Sequence, residues 1–224
     1  MIKVKNVWKI YGKGEAKTIA LKNINLEIEK GEFVMIMGPS GCGKSTLLNI
    51  LGLLDVPTKG AVYYKGRKTS SMSENERAVF RRKIGGFVFQ QFHLIKTLTA
   101  LENVELPMML DEKDKTYRRR KAKKLLKMVG LEKRINHYPH QLSGGQQQRV
   151  AIARALANDP KIIFADEPTG NLDSKSGEVV MNILKELNEK GITIIMVTHE
   201  QELTRYASKI VKLKDGEIVE IVEK

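Results

Sequence analysis

Residues 33 to 45 read Phe33-Val34-Met35-Ile36-Met37-Gly38-Pro39-Ser40-Gly41-Cys42-Gly43-Lys44-Ser45. The apolar residues at the start of this stretch are typical of a buried strand. Apolar positions at helical spacing follow the loop, at Leu47, Leu48, Ile50, Leu51 and Leu54. A strand, a glycine-rich loop with G-x-x-x-x-G-K-S spacing and a helix, in this order, predict a P-loop that holds nucleotide phosphates. The plainer alternative is a glycine-rich turn that only precedes a helix.

The loop contains the residue types that phosphate binding requires. Glycines let the backbone N–H groups point at phosphate oxygens, and the N-terminus of the following helix adds a partial positive charge. We expect Lys44 to bind the β and γ phosphates as a catalytic group and the Ser45 hydroxyl to be a ligand of Mg²⁺. We interpret Cys42 as a small loop residue and not as a catalytic thiol. The predicted nucleotide-binding set of this loop is Gly38, Ser40, Gly41, Cys42, Gly43, Lys44, Ser45 and Thr46.

A second apolar run ends in two carboxylates, Ile162-Ile163-Phe164-Ala165-Asp166-Glu167. A buried strand would deliver both acids to the carboxyl edge of a parallel sheet, where ligands of such sheets bind. We predict that Asp166 holds Mg²⁺ and that Glu167 orients and deprotonates the attacking water. A strand followed by an ordinary acidic turn is the alternative.

Composition limits the class of protein. The 224 residues are 42% hydrophobic, which is enough for one core with an attached subdomain. The formal charge of +13 favours anionic partners, which include nucleotide phosphates, nucleic acid and an acidic membrane face. We expect no membrane span and no export signal, because no apolar run approaches the ~18 residues that a bilayer requires. Cys42 is the only cysteine, which suits a reducing cytosol.

Periodicity along the rest of the chain predicts an α/β fold. Strands are expected at 2–8, 20–28, 33–37, 162–165, 192–197 and 210–213, and helices at 174–189 and 200–207. An Asp-Gly turn at Asp215 and Gly216 predicts a final hairpin. Strands that alternate with helices favour a mainly parallel sheet, here with an antiparallel β region at the N-terminus. We expect one domain over 1–224, in which 1–96 and 159–224 form the core and the β region and 97–158 form a helical subdomain.

The most specific motif is Leu142-Ser143-Gly144-Gly145-Gln146, which precedes Gln147-Gln148-Arg149 and an apolar helical run. This motif predicts a second anion site. A serine can cap the helix that follows, and the glycines expose backbone N–H groups at the positive end of that helix. An ordinary serine cap explains Ser143 but not the glycine pair. The motif resembles the signature of ATP-binding cassette (ABC) proteins. That resemblance implies the ABC ATPase fold with a P-loop core. It also implies a head-to-tail dimer in which ATP lies between the P-loop of one copy and Ser143, Gly144, Gly145 and Gln146 of the other.

The resemblance implies roles for four further residues. Tyr11 looks like the aromatic residue that stacks on adenine, although a lone tyrosine is often simply packed. Gln90, rather than Gln91, resembles the glutamine that touches Mg²⁺ and the attacking water. The segment Asn171-Leu172-Asp173 resembles the loop that crosses the dimer interface, and Asp173 is its expected nucleotide-binding residue. His199 resembles the histidine that contacts the γ-phosphate, where the alternative is a surface or core histidine.

Several segments are similar to those of the lipoprotein-release and macrolide-export group of the family. One of them is Asp166-Glu167-Pro168-Thr169-Gly170-Asn171-Leu172-Asp173-Ser174. The resemblance implies ATP and Mg²⁺ as cofactors and, as partners, a second copy of the chain and a separate transmembrane permease. It also implies a cytoplasmic position at the inner face of the membrane.

Two other functional classes stay open at this point. One is an ATP-dependent regulator of a cell-envelope or division process that acts through a membrane partner without transport. The other is a cassette ATPase of DNA repair or translation, which the charge favours. The absence of an inserted coiled coil and of a second cassette disfavours that class, and no nucleic acid is expected. We interpret the basic run 118–124 as a solvated helix face, with contact to anionic lipid as the alternative.

Overall fold

A computed structural model describes residues 1–12 and 14–224 of the chain, without the side chain of Glu15. Its elements are, in chain order, β1 (Ile2–Tyr11), β2 (Thr18–Ile28), β3 (Phe33–Met37), α1 (Lys44–Leu51), β4 (Lys59–Tyr64), β5 (Arg67–Lys68), α2 (Glu74–Ile84), β6 (Gly85–Phe89), α3 (Ala100–Met109), α4 (Lys115–Met128), α5 (Gly144–Ala155), β7 (Ile162–Asp166), α6 (Ser174–Glu189), β8 (Thr193–Val197), β9 (Lys209–Lys214) and β10 (Glu217–Glu223). Two compact units are present, one formed by residues 1–81 and 191–224 and the other by residues 82–190.

The first unit contains an antiparallel sheet of strand order β2-β1-β4-β5. Along β2 the apolar residues Leu21, Ile24, Leu26 and Ile28 are buried, whereas the intervening positions are mostly exposed. This alternation is typical of a sheet with one face on the core. The predicted antiparallel β region is therefore present.

The first unit also contains β3, β8, β9 and β10. β3 is parallel to both β8 and β9, and all five residues of β3 and of β8 are buried. Strands that are buried along their whole length are typical of a parallel sheet that is covered on both faces. β9 and β10 form the predicted hairpin, with positive φ at Asp215 (50°) and Gly216 (81°). The P-loop follows the carboxyl end of β3, as the sequence predicts.

The second unit combines the parallel pair β6 and β7 with the helices α3 to α6. Side chains cap the N-termini of these helices: Thr99 caps α3, Asp114 caps α4, Ser143 caps α5 and Asp173 caps α6. The predicted helical segment 97–158 lies inside this unit, and its status as a subdomain stays a prediction. No described helix combines the length and the apolar character that crossing a bilayer would require.

The helix predicted at 200–207 is wrong in type. Residues Gln201–Tyr206 form a 3₁₀ helix, in which Leu203 is the only buried residue. One apolar anchor does not supply the stripe that stabilises an α-helix by packing.

Candidate nucleotide-binding site

The P-loop closes over the start of α1. Gly43 is the N-cap of α1, with φ 104° and no side-chain cap, and a Cβ atom at this position would lie 2.5 Å from the Ala20 carbonyl oxygen. Only glycine fits, because both the backbone angle and the space exclude a side chain. The amino end of α1 therefore presents backbone N–H groups without a competing side chain, which is the arrangement that binds anions.

Lys44 lies inside this loop. Its side chain is buried, and its ammonium nitrogen is 2.9 Å from each of the carbonyl oxygens of Gly38 and Pro39. Both acceptors are uncharged carbonyl oxygens, so neither compensates the positive charge of the lysine. Of the other predicted residues, Ser40, Gly41 and Ser45 are exposed, Thr46 is half-buried and Cys42 is buried.

Tyr11 ends β1 with an exposed ring and an anchored hydroxyl. Its side chain is 42% exposed, and the hydroxyl donates a hydrogen bond to Asp55 at 2.8 Å. The Lys9 ammonium contacts the same carboxylate at 2.6 Å and lies 4.7 Å from the centre of the tyrosine ring. Burial raises the pKa of Tyr11, and Asp55 raises it further, whereas Thr46 acts in the opposite direction. Burial opposes ionisation of Asp55, but the hydrogen bonds from Lys9 and Tyr11 lower its pKa overall.

His199 and the P-loop both follow the carboxyl ends of parallel strands, at the same edge of the sheet. Ile36 of β3 is in register with Val197 of the parallel strand β8. Gly38 and His199 each come two residues after this pair, and His199 is exposed. The structure thus brings His199 to the edge at which the P-loop begins.

The acidic strand end and Gln90 are neighbours within the second unit. Phe89 of β6 is in register with Asp166 of β7, so Gln90 and Glu167 are the first residues after the ends of two adjacent parallel strands. Glu167 has φ 44°, a left-handed conformation that is uncommon for a residue other than glycine. Backbone strain of this kind concentrates at functional sites, where the surrounding structure holds a side chain in a required direction.

The loop after Glu167 holds Gln90 through Asn171. The Gln90 side-chain amide donates to the Asn171 side chain at 3.3 Å, and the Asn171 amide donates to the Gln90 carbonyl oxygen at 3.1 Å. Gln91 is exposed. These two hydrogen bonds hold the side chain and the backbone of Gln90 against Asn171.

The signature motif forms the start of α5. The Ser143 hydroxyl accepts from the Gln146 N–H at 3.3 Å, and the Gln146 side chain accepts from the Ser143 N–H at 3.0 Å. This is a capping box. Since the hydroxyl oxygen is the acceptor here, the hydroxyl hydrogen is available to a phosphate oxygen.

Gly145 has a packing reason that the sequence did not reveal. A Cβ atom at this position would lie 2.6 Å from the Ser176 hydroxyl oxygen, so glycine allows α5 to approach the start of α6. Asp173 caps α6 by accepting from the Ser176 N–H at 2.9 Å and from its hydroxyl at 2.8 Å. These bonds lower the pKa of Asp173. No sequence motif pointed to Ser176, because its contact with Gly145 joins two helices.

Comparison with known proteins gives concordant matches. The family model described as "ABC transporter" matches residues 21–170. The uncharacterized ABC transporter ATP-binding protein MJ1508 of Methanocaldococcus jannaschii is 87% identical over all of this chain and all of that protein. The macrolide export ATP-binding/permease protein MacB of Bdellovibrio bacteriovorus is 53% identical, over 97% of this chain and 33% of its own length.

A solved structure agrees with these sequence matches. It is the dimeric post-hydrolysis state of the ATP-binding cassette MJ0796 of Methanocaldococcus jannaschii, bound to ADP and Pi. It superposes with a TM-score of 0.92 at 55% identity, over 100% of this chain and 98% of that one. On the family model, the relatives and the fold together, this chain belongs to the ABC transporter family.

Proposed function

We propose that this chain is the ATP-binding and ATP-hydrolysing subunit of an ABC transporter, and that it acts as a homodimer that drives a separate membrane permease. One observation carries the proposal. The chain has two helix N-termini suited to phosphate, one at the P-loop before α1 and one at the signature motif before α5. One nucleotide needs one P-loop, so the second phosphate site is expected to serve the nucleotide of another copy. The dimeric cassette MJ0796 with ADP and Pi is a relative that supports both the dimer and hydrolysis.

In the first unit, the P-loop residues bind the phosphates and Tyr11 stacks its exposed ring on adenine. Lys44 neutralises charge on the β and γ phosphates. His199 contacts the γ-phosphate. The anchored hydroxyl of Tyr11 supports the stacking role, because a ring that is already fixed loses little conformational entropy when it binds.

In the second unit, Glu167 is the general base that orients and deprotonates water. In this unit, Asp166 and Gln90 would supply oxygen ligands for Mg²⁺. In the first unit, the Ser45 hydroxyl is the proposed ligand. Carboxylate, amide and hydroxyl oxygens are the donors that this hard cation prefers, so the residues present fit the ion. When bound, Mg²⁺ would neutralise charge on the phosphates. The strained backbone of Glu167 supports the assignment of the base.

Ser143, Gly144, Gly145 and Gln146 of one copy bind the γ-phosphate held by the P-loop of the other copy. Asp173 lies in the loop that crosses this interface. Closure of the dimer thus requires ATP in place, and hydrolysis removes the phosphate that joins the two copies.

The permease is a separate polypeptide, and the chain works at the inner face of the membrane. The MacB relatives support a membrane partner. They are named as ATP-binding/permease proteins, and this chain matches about one third of their length. A largely apolar groove of about 320 Å³ in the second unit, lined in part by Phe87, Phe89, His93 and Pro107, adjoins the segment Gln90 to Leu106 that we expect to pass motion to the permease. The relatives do not favour a regulator without transport.

Replacement of the base tests the proposed chemistry. Glu167→Gln should keep ATP binding and lower the hydrolysis rate by about 10²- to 10⁴-fold, the range for loss of a general base. Phosphate release and ATP binding would be measured on the purified wild-type and variant proteins. Wild-type turnover in the variant would refute the role of Glu167, and a wild-type protein without ATPase activity would refute the function itself.

A further inference from the structure

Gln148 is a buried polar residue to which the proposed mechanism gives no role. It lies on α5, five residues after Ser143, and its side chain is 0% exposed. Burying an amide side chain is unfavourable unless hydrogen bonds compensate the loss of water. The partners of this amide therefore identify what its burial achieves.

The Gln148 side-chain nitrogen donates two hydrogen bonds to backbone carbonyl oxygens. One acceptor is Pro168, at 2.6 Å, and the other is Phe89, at 3.3 Å. Pro168 comes directly after Glu167, and Phe89 comes directly before Gln90. A single side chain of the signature helix thus holds the backbone beside both groups that are proposed to act on the attacking water.

The chemistry of these contacts requires an amide. Both acceptors are carbonyl oxygens, so the NH₂ group must face them, and a carboxylate in its place would repel both. The other end of the amide, Oε1, is buried and has no hydrogen-bond partner among the residues that the structure describes. The two donated hydrogen bonds therefore hold this side chain in place.

The position of the two carbonyls explains the arrangement. Phe89 and Asp166 are paired in the parallel ladder, and the two chains leave the sheet directly after this pair. Beyond it, the ladder no longer fixes the distance between Gln90 and Glu167. Gln148 contacts both chains at this point of divergence, and from there α5 runs about 7.5 Å back to Ser143 at 1.5 Å per residue.

We propose that Gln148 is a positioning residue that ties the orientation of α5 to the orientation of Gln90 and Glu167. The proposal rests on the proposed function, since it needs both groups to be catalytic. It has one consequence beyond that function. A phosphate bound at the amino end of α5 belongs to the ATP held by the other copy, and Gln148 links that event to the catalytic groups of its own copy.

The test compares Gln148→Met with Thr69→Val in the full-length protein. Gln148→Met keeps the shape of the side chain and removes both hydrogen bonds. Thr69 is the matched control in the first unit, because it is also buried and donates one hydrogen bond to a backbone carbonyl, that of Val62 at 3.0 Å. Initial rates of ATP hydrolysis against ATP concentration, and Tm, would be measured for both variants and the wild type at a temperature below all three Tm values.

Loss of a residue that orients a reactive group typically lowers activity about 10- to 100-fold. We expect this loss in kcat for Gln148→Met, with KM for ATP within about twofold of the wild type. Thr69→Val should have a lower Tm than the wild type but the same kcat. A Gln148→Met protein with kcat within about twofold of the wild type would overturn the proposal. So would a change confined to KM and Tm, which is the signature of a structural role.

A second variant covers the case in which Gln148→Met does not fold. Gln148→Asn keeps the buried amide but is one methylene shorter, so it cannot reach both carbonyls. It should also lower kcat, and a wild-type kcat in this variant would overturn the proposal. Failure of the proposed function would look different, because the wild-type protein itself would then show no ATP hydrolysis, and the role of Gln148 would fall with it.

Discussion

The two helix N-termini that are suited to phosphate differ in what their own residues supply. α1 begins at a glycine without a side-chain cap and carries the buried ammonium of Lys44 beside it. α5 begins at Ser143 with a closed capping box, and its first turn, Gly144-Gly145-Gln146, has no charge. The first site therefore has a full positive charge, and the second has only the helix dipole and a hydroxyl.

This difference indicates an order of binding. The dipole of a helix end contributes about 0.3–1 kcal/mol toward an anion, which is too little to hold a free phosphate at cellular concentrations. The P-loop is expected to bind ATP alone, and the signature site is expected to add its contacts to a phosphate that is already held. A dimer that closes only with ATP is the result.

Removal of the charge at the first site should give the largest effect. Lys44→Ala is expected to lower ATP hydrolysis by about 100-fold or more, the range for loss of one preorganised charge-stabilising group. Lys30→Ala, in the exposed turn before β3, is the control for the loss of a lysine. Activity in Lys44→Ala close to that of the control would mean that the two sites do not differ in charge as described.

Two substitutions of Ser143 separate its cap from its phosphate contact. Ser143→Asp keeps a good N-cap, so the free energy of unfolding should stay within about 0.5 kcal/mol of the wild type, whereas Ser143→Ala should lose about 1 kcal/mol. Hydrolysis should follow the opposite order. The aspartate repels the phosphate, a cost of several kcal/mol, and should lower the rate by about 100-fold. If hydrolysis follows stability instead, Ser143 is only a cap.

Substitution of the two signature glycines should affect stability differently. Gly145→Ala places a methyl group 2.6 Å from the Ser176 hydroxyl and should destabilise the protein by about 1–3 kcal/mol in denaturant unfolding. Gly144→Ala is the matched control, because its methyl group would have 3.5 Å to the nearest atom, a Leu172 methyl group. Equal stability of the two variants would refute the packing role of Gly145.

The smallest effect is expected at the basic run on α4. Arg119, Arg120, Lys123 and Lys124 are exposed, and two pairs of them are like charges four residues apart. Replacement of all four by glutamine should leave ATP hydrolysis within about twofold of the wild type and relieve about 0.2–0.5 kcal/mol of repulsion per pair. Lys121 stays, since it pairs with Asp159. A collapse of activity would show that the run supports the phosphate sites.

Local patterns predicted the parts of the fold that depend on contiguous residues. The strand, loop and helix around residues 33–51, the antiparallel β1 and β2 and the hairpin of β9 and β10 all occur as expected. α2 was not predicted, because its sequence is mostly polar and charged, and none of its residues is buried. The segment Gln201–Tyr206 was predicted as a helix but is of the 3₁₀ type, because its single buried leucine does not distinguish the two kinds of helix.

Contacts between distant segments were beyond the sequence. Asp55 anchors Tyr11 from 44 positions away, and Gln148 reaches Phe89 across 59 positions. Neither residue belongs to a pattern that assigns it a partner. A motif names the residues that touch a ligand, whereas the residues that hold them depend on the packing of elements that a single sequence does not pair.

Mixing two inactive variants tests most directly whether the two phosphate sites serve the same ATP from different copies. Differently tagged Lys44→Ala and Ser143→Asp proteins would be combined, the mixed dimers isolated through both tags, and ATP hydrolysis measured. In a head-to-tail dimer one site carries both changes and the other carries neither, so the mixture should recover up to half of the wild-type activity while each variant alone stays inactive. Mixed dimers that form but remain inactive would contradict the account, because each ATP would then be served by the two sites of one chain.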